Sequence, residues 1–140
     1  MKLLFLLFLF AVASCSLAPK DQPGGAHRYF VTEVKPVLQE QCLRCHDGTQ
    51  PPPVLNLTSR NAAFRTNARG QHYIVPGKPD SSLLVTAVQR MGTHPKLMPQ
   101  SDVSLTDMQI GMLREWIEDG AYWPEGAAGN LHHQRSPEHP

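Results

Sequence analysis

The chain has 140 residues, with 13 Lys and Arg against 12 Asp and Glu. Setting Lys2 aside with the leader leaves the two signs equal, which excludes the broad positive field used to hold nucleic acid or acidic membranes. Its 13 prolines argue against long central strands and for helices joined by Pro-bearing loops.

The first segment in chain order is not part of a fold. Lys2 supplies a short positive start, and Leu3 to Ala13 is an unbroken apolar run. That run is too short to span a bilayer comfortably and matches the apolar stretch of an export signal. It ends in Val12-Ala13-Ser14-Cys15, which resembles a bacterial lipobox. The resemblance implies cleavage before Cys15 and lipidation of that residue. The plainer alternative is an ordinary secretory signal cut nearby, leaving Cys15 idle. Ser16 stands where Asp would be a cue for inner-membrane retention, which turns the expectation toward the outer membrane.

Residues 1–14 therefore read as a lipoprotein signal peptide, and 15–27 as a flexible tether too polar to bury itself. Residues 28–125 are about a hundred positions, enough for one small domain with a modest core. Residues 126–140, with His132, His133 and His139 among Gln, Arg and Pro, read as a disordered tail.

Within the domain, Phe30, Val34, Val37 and Leu38 recur at helical spacing over Tyr29 to Gln41, with Pro36 placed to limit or kink the first turns. The helix leads into Cys42-Leu43-Arg44-Cys45-His46. Two thiols three positions apart lie on nearly one side of a helical turn, close enough to add to the two vinyl groups of one haem. His46 then sits under the macrocycle as proximal imidazole. A metal-bound His donates its other ring N–H to a backbone carbonyl, and the loop after His46, broken open from Gly48 to Pro53, is the natural place for it. Three other uses of the cysteines compete. A thioredoxin-like pair needs a βαβ setting, which is missing. A zinc site needs a second ligand pair, also missing. A Cys42–Cys45 disulfide suits an oxidising compartment. Export and the motif support each other, because c-type attachment takes place outside the cytoplasm.

Further along, Thr58 or Ser59 caps a short helix over Ser59 to Phe64. Pro79 suits the first turn of another, whose apolar face is Leu84, Val85 and Val88. The last helix is the clearest. Thr106 and Gln109 form a capping box, Ile110, Leu113, Trp116 and Ile117 form the stripe, and Gly120 is a ready stop.

An electron-transfer iron needs a sixth ligand to exclude other chemistry, and a thioether raises its potential relative to a second imidazole. The sulfur candidates are Met91, Met98, Met108 and Met112; the imidazole alternatives are His94 and His72. Met108 and Met112 lie in the last helix and read as packing. Met98, held extended between Pro95 and Pro99, suits a loop laid across a haem face. Arg60, Arg65 and Arg90 are candidates for haem carboxylates, with surface ion pairs as the plainer reading. Asn56-Leu57-Thr58 fits a glycosylation acceptor by chance.

From here the chain resembles the planctomycete-type cytochrome c domain. The resemblance rests on Cys42-Leu43-Arg44-Cys45-His46, Leu55-Asn56-Leu57, Ile74-Val75-Pro76-Gly77-Lys78-Pro79, Met98-Pro99 and Trp116-Ile117-Glu118-Asp119-Gly120-Ala121-Tyr122-Trp123-Pro124. It implies an all-α fold, a small cytochrome c-like helical domain wrapped around one covalent haem c. It also implies proximal ligation by His46 and distal ligation by Met98. The chain departs from the family pattern at Asn67-Ala68-Arg69-Gly70, where a Gly pair is common, and at Gln100, where a second Pro is common.

The expected function is carriage of single electrons by a mono-haem c-type cytochrome, not an enzyme. It would face the periplasm on a lipid anchor and dock redox partner proteins, with no small-molecule substrate and no nucleic acid. A haem sensor or peroxidase-like protein with a weak sixth ligand is the alternative.

Overall fold

The computed structural model describes residues 24–51, 54–89, 98 and 104–133. The leader with Cys15, and Arg90, Met91, His94 and His139, lie outside the described residues. The described residues are helical, with no strand beyond one isolated antiparallel bridge between Thr66 and His72. The all-α expectation holds. Among them no helix is long and apolar enough to cross a membrane.

The chain starts with α1 (Gly25–Tyr29), which runs into a π-helical segment Phe30–Val34, then α2 (Lys35–Val37) and a second π-helical segment Leu38–Cys42. Every junction keeps right-handed helical angles, so the pieces form one rod. Pro36 does not end it. A proline cannot donate to the carbonyl four residues back and its ring crowds that carbonyl. The wider turn before it, where Lys35 N–H reaches the Phe30 carbonyl, makes room. Phe30, Val34, Val37 and Leu38 are all buried, as their spacing predicts.

Next come α3 (Arg60–Ala63), capped by Ser59 Oγ accepting from Ala62 N–H, and a 3₁₀ turn Pro79–Ser81. This turn leads into α4 (Leu83–Val88), whose Leu84, Val85 and Val88 are buried. The longest helix is α5 (Asp107–Glu118). Its capping box closes in both directions: Thr106 Oγ1 accepts from Gln109 N–H at 3.2 Å, and Gln109 Oε1 accepts from Thr106 N–H at 2.9 Å. Met108 is turned to solvent at 84% exposure, contrary to its reading as packing, because it sits opposite the stripe of Leu113, Trp116 and Ile117. Met112 does pack against the core.

The core forms where α5 lies against the Phe30–Val34 segment. Phe30 meets Trp123 with ring centroids 4.9 Å apart and Trp116 at 6.0 Å, and the two indoles are 5.9 Å from each other. Such tilted pairs add to the stabilisation from burial itself. Both indole N–H groups find carbonyls, Trp116 on Tyr122 at 2.8 Å and Trp123 on Gly129 at 2.7 Å.

That second bond bears on the domain boundary. The expected limits of 28 and 125 are too narrow at both ends. Helix α1 begins at Gly25, and the chain after 125 stays packed through a 3₁₀ turn Gly126–Ala128 to Leu131, which is 1% exposed. Residues 126–133 are not a disordered tail. The physical reason is that a buried Trp123 needs an acceptor for its N–H, and Gly129 supplies it from the returning chain.

Candidate haem site

The rod delivers the two thiols and the imidazole together. Its last turn is closed by the Cys42 carbonyl, which accepts from both Cys45 N–H at 3.2 Å and His46 N–H at 3.1 Å. Cys42 is half-buried and packs against the core; Cys45 is exposed. Both are free thiols. Burial pushes the Cys42 thiol up to about 12, so it is held neutral.

His46 is half-buried, and its Nδ1 lies 2.9 Å from the Leu55 carbonyl oxygen. A carbonyl only accepts, so Nδ1 carries the hydrogen and Nε2 is left with the lone pair. The same loop is pinned a second time, where Leu57 N–H donates to the His46 carbonyl at 2.8 Å. The sequence placed this acceptor in the loop after His46 without fixing the residue. Leu55 is that residue.

Gly48 makes the loop possible. Its φ of +88° lies in the left-handed region, and a β-carbon there would stand 2.6 Å from Asn56 Nδ2. Asn56 in turn accepts from Thr58 N–H at 2.9 Å and Thr58 Oγ1 at 2.7 Å, so its side chain organises the turn. Beside Gly48 and Asn56 opens a cleft of about 440 Å³, lined also by Phe64, Arg65, Thr66 and Tyr73. This is within the usual range of small-molecule sites, roughly 300–1,000 Å³. None of Cys42, Cys45, His46 and Met98 lines this cleft. Arg60 lies over the Phe64 ring, 4.7 Å from its centroid.

Met98 hooks onto the end of α4, its N–H donating to the Ala87 carbonyl at 2.7 Å, and its side chain is half-buried against the core. His72 is exposed beside the bridge to Thr66. The turn at 67–70 works without the family's glycine pair. Asn67 Oδ1 accepts from Arg69 N–H at 2.9 Å and Gln71 N–H at 3.0 Å, doing with a side chain what a second glycine would allow the backbone to do. Gln100 lies outside the described residues. So the structure joins Cys42, Cys45 and His46 in one turn and seats Met98 separately on α4. Among the described residues no group of three or more His, Cys, Asp or Glu is placed to hold a bare metal ion.

Residues 42–102 match the family model for planctomycete cytochrome C. The match suggests a cytochrome c-type, haem-binding segment. The planctomycete cytochrome C match begins on Cys42 itself and extends past Met98. Among solved structures the chain is similar to Kuenenia stuttgartiensis hydrazine synthase, at 23% identity and a TM-score of 0.44. That likeness covers 74% of this chain, which spans 18% of the hydrazine synthase chain. Comparison with curated proteins finds no match.

Tests of fit between this site and a haem come from the donor set. A covalent haem c needs two unpaired thiols three positions apart with an imidazole beside them. Cys42 and Cys45 are unpaired and the His46 tautomer is fixed by Leu55, so the residues present fit.

Proposed function

We propose that the chain is a mono-haem c-type cytochrome carrying single electrons outside the cytoplasm. The hydrogen bond from His46 Nδ1 to the Leu55 carbonyl is the observation that carries the reading. It orients the imidazole, as partners of metal-bound histidines do.

Bound here, haem c supplies one-electron iron chemistry. Cys42 and Cys45 would hold it through two thioethers, and His46 would give the iron its imidazole. Met98, its backbone anchored on Ala87, would supply a sulfur ligand to the iron. A sulfur in that position raises the potential and closes the iron to other ligands, which is why electron carriage is favoured over catalysis. The protein is exported and anchored by lipid on Cys15, on the outer membrane, and its partners are redox proteins with no small-molecule substrate. The sequence from Leu3 to Cys15 supports that location.

The test is a visible spectrum of protein made with periplasmic haem-attachment machinery, oxidised and then dithionite-reduced. A low-spin c-type spectrum with the long-wavelength sulfur–iron band, lost in Met98→Ala, is the expected result. A high-spin spectrum that shifts with carbon monoxide would replace the carrier with a sensor or peroxidase-like protein. No covalent haem would leave a lipoprotein without the cofactor.

A further inference from the structure

The segment after Trp123 makes polar contacts that converge on the loop holding His46. Lys35 Nζ donates to the Ala128 carbonyl at 2.8 Å, and Gln39 Nε2 donates to the His132 carbonyl at 2.6 Å. Leu131 N–H donates to the Thr58 carbonyl at 3.0 Å, and His133 Nε2 lies 3.2 Å from Asp47 Oδ2. The returning chain thus touches the rod before the motif, the residue directly after His46, and the far end of the loop that accepts from His46. Leu131 is buried in the same core as Trp123 and Leu57, so the attachment is apolar as well as polar.

Between Asp47 and Thr58 the loop's internal bonds are short-range: Asp47 with Thr49, His46 with Leu55 and Leu57, and Asn56 with Thr58. Those bonds keep the loop's shape, and Leu55 and Leu57 bury its later limb in the core. The bonds from Leu131 and His133 join its two ends to the rest of the molecule.

We infer that residues 126–133 form a strap that positions the proximal ligand, with Leu131 as the positioning residue acting through Thr58 and the Leu55–Leu57 backbone on His46. The inference rests on the haem reading above. Outer partners of this kind set how firmly a histidine is held, and losing them commonly weakens the metal bond about tenfold or more.

The test uses nitric oxide on the reduced full-length holoprotein in a Met98→Ala background, where the gas enters opposite His46. Nitric oxide weakens the bond trans to it, so a loosely held imidazole leaves and the electron paramagnetic resonance spectrum changes from the six- to the five-coordinate form. Leu131→Ala and the milder Gln39→Ala should raise the five-coordinate share, Leu131→Ala by about tenfold relative to the parent. Val85→Ala, an equally buried change on α4 away from the strap, should lower the thermal midpoint and leave the spectrum six-coordinate. An unchanged spectrum in Leu131→Ala overturns the strap, and so does the same change in Val85→Ala. Absence of covalent haem from the parent would instead overturn the haem reading, and the strap's role in ligation with it.

Discussion

Gly48 and Asn56 stand on opposite limbs of the loop that follows His46, and a β-carbon on the one would press against the side-chain amide of the other at 2.6 Å. The same two limbs are joined by His46 Nδ1 and the Leu55 carbonyl. The close approach of Gly48 to Asn56 and the ligand's hydrogen bond are therefore one arrangement, and a residue that forces the limbs apart strains both.

Gly48→Ala is accordingly expected to destabilise the protein by about 1–2 kcal/mol from the left-handed backbone alone, with a further cost from moving Asn56. Asn56 cannot move freely, because Thr58 holds its Oδ1 twice. Urea unfolding of the two proteins measures the difference. A change below a few tenths of a kcal/mol would mean the loop relaxes without strain.

The two thiols differ in burial, and that difference predicts an order of reaction. Alkylating agents attack thiolate, and the Cys42 thiol is raised by burial to about 12 while Cys45 is exposed. In haem-free protein at neutral pH, iodoacetamide should label the peptide carrying Cys45 long before Cys42, and denaturation should erase the preference. Because the Cys42 value is raised on folding, its contribution to apo-protein stability is present below pH 9 and is lost as pH rises toward 12. Equal labelling of both cysteines in the native protein would contradict this environment.

What was legible in the sequence was local. The capping box at Thr106 and Gln109, the Ser59 cap, the buried stripe from Phe30 to Leu38 and the spacing of Cys42, Cys45 and His46 all rest on neighbours within a turn or two. The partner of His46 was not legible to the residue, since the path of a Pro-rich loop decides which carbonyl arrives. Nor were the π-helical turns around Pro36, which answer a clash rather than a pattern. The strap was misread for a different reason. Gly, Ala, Asn and His give it a disordered composition, and its order comes from two isolated anchors, Leu131 and the Gly129 carbonyl, that follow no period. Neither the leader nor the ligands expected around Met91 and His94 fall within the described residues.

Asp80 and Arg114 tie the 3₁₀ turn before α4 to α5 through an Nη1–Oδ1 contact of 2.7 Å. The hydrogen bond and charge of Arg114 lower the Asp80 carboxyl below its ordinary 3.8. A depressed carboxylate stabilises the fold above its unfolded value, and the contribution is lost as pH falls through the folded one. Asp80 is exposed, so the effect is small and salt-screened. Asp80→Asn should lower the thermal midpoint slightly at pH 7 and low salt. The gap from wild type should close below pH 4 or in 1 M salt. A gap that persists at acid pH would assign the loss to something other than the ion pair.

Ala121 is a non-glycine residue with a positive φ, +52°, directly after Gly120 at +99°. The two residues turn the chain off α5, where Gly120 N–H donates to the Ile117 carbonyl and Ala121 N–H to the Trp116 carbonyl. Ala121 is 2% exposed, so its methyl is packed as well as strained. Ala121→Gly relieves about 1 kcal/mol of backbone strain but gives up a buried methyl and adds freedom to the unfolded chain. These nearly cancel, and stability should stay within about 1 kcal/mol of wild type. Ala121→Val has no such compensation: a β-branched side chain is worse than Ala at this φ, and two further carbons must be fitted at a buried position. It should cost about 2–4 kcal/mol in denaturant unfolding and perturb near-ultraviolet dichroism, because the turn it distorts also carries the Tyr122 carbonyl that accepts from the Trp116 indole. If Val is tolerated as well as Gly, the turn after α5 is not fixed by this backbone angle.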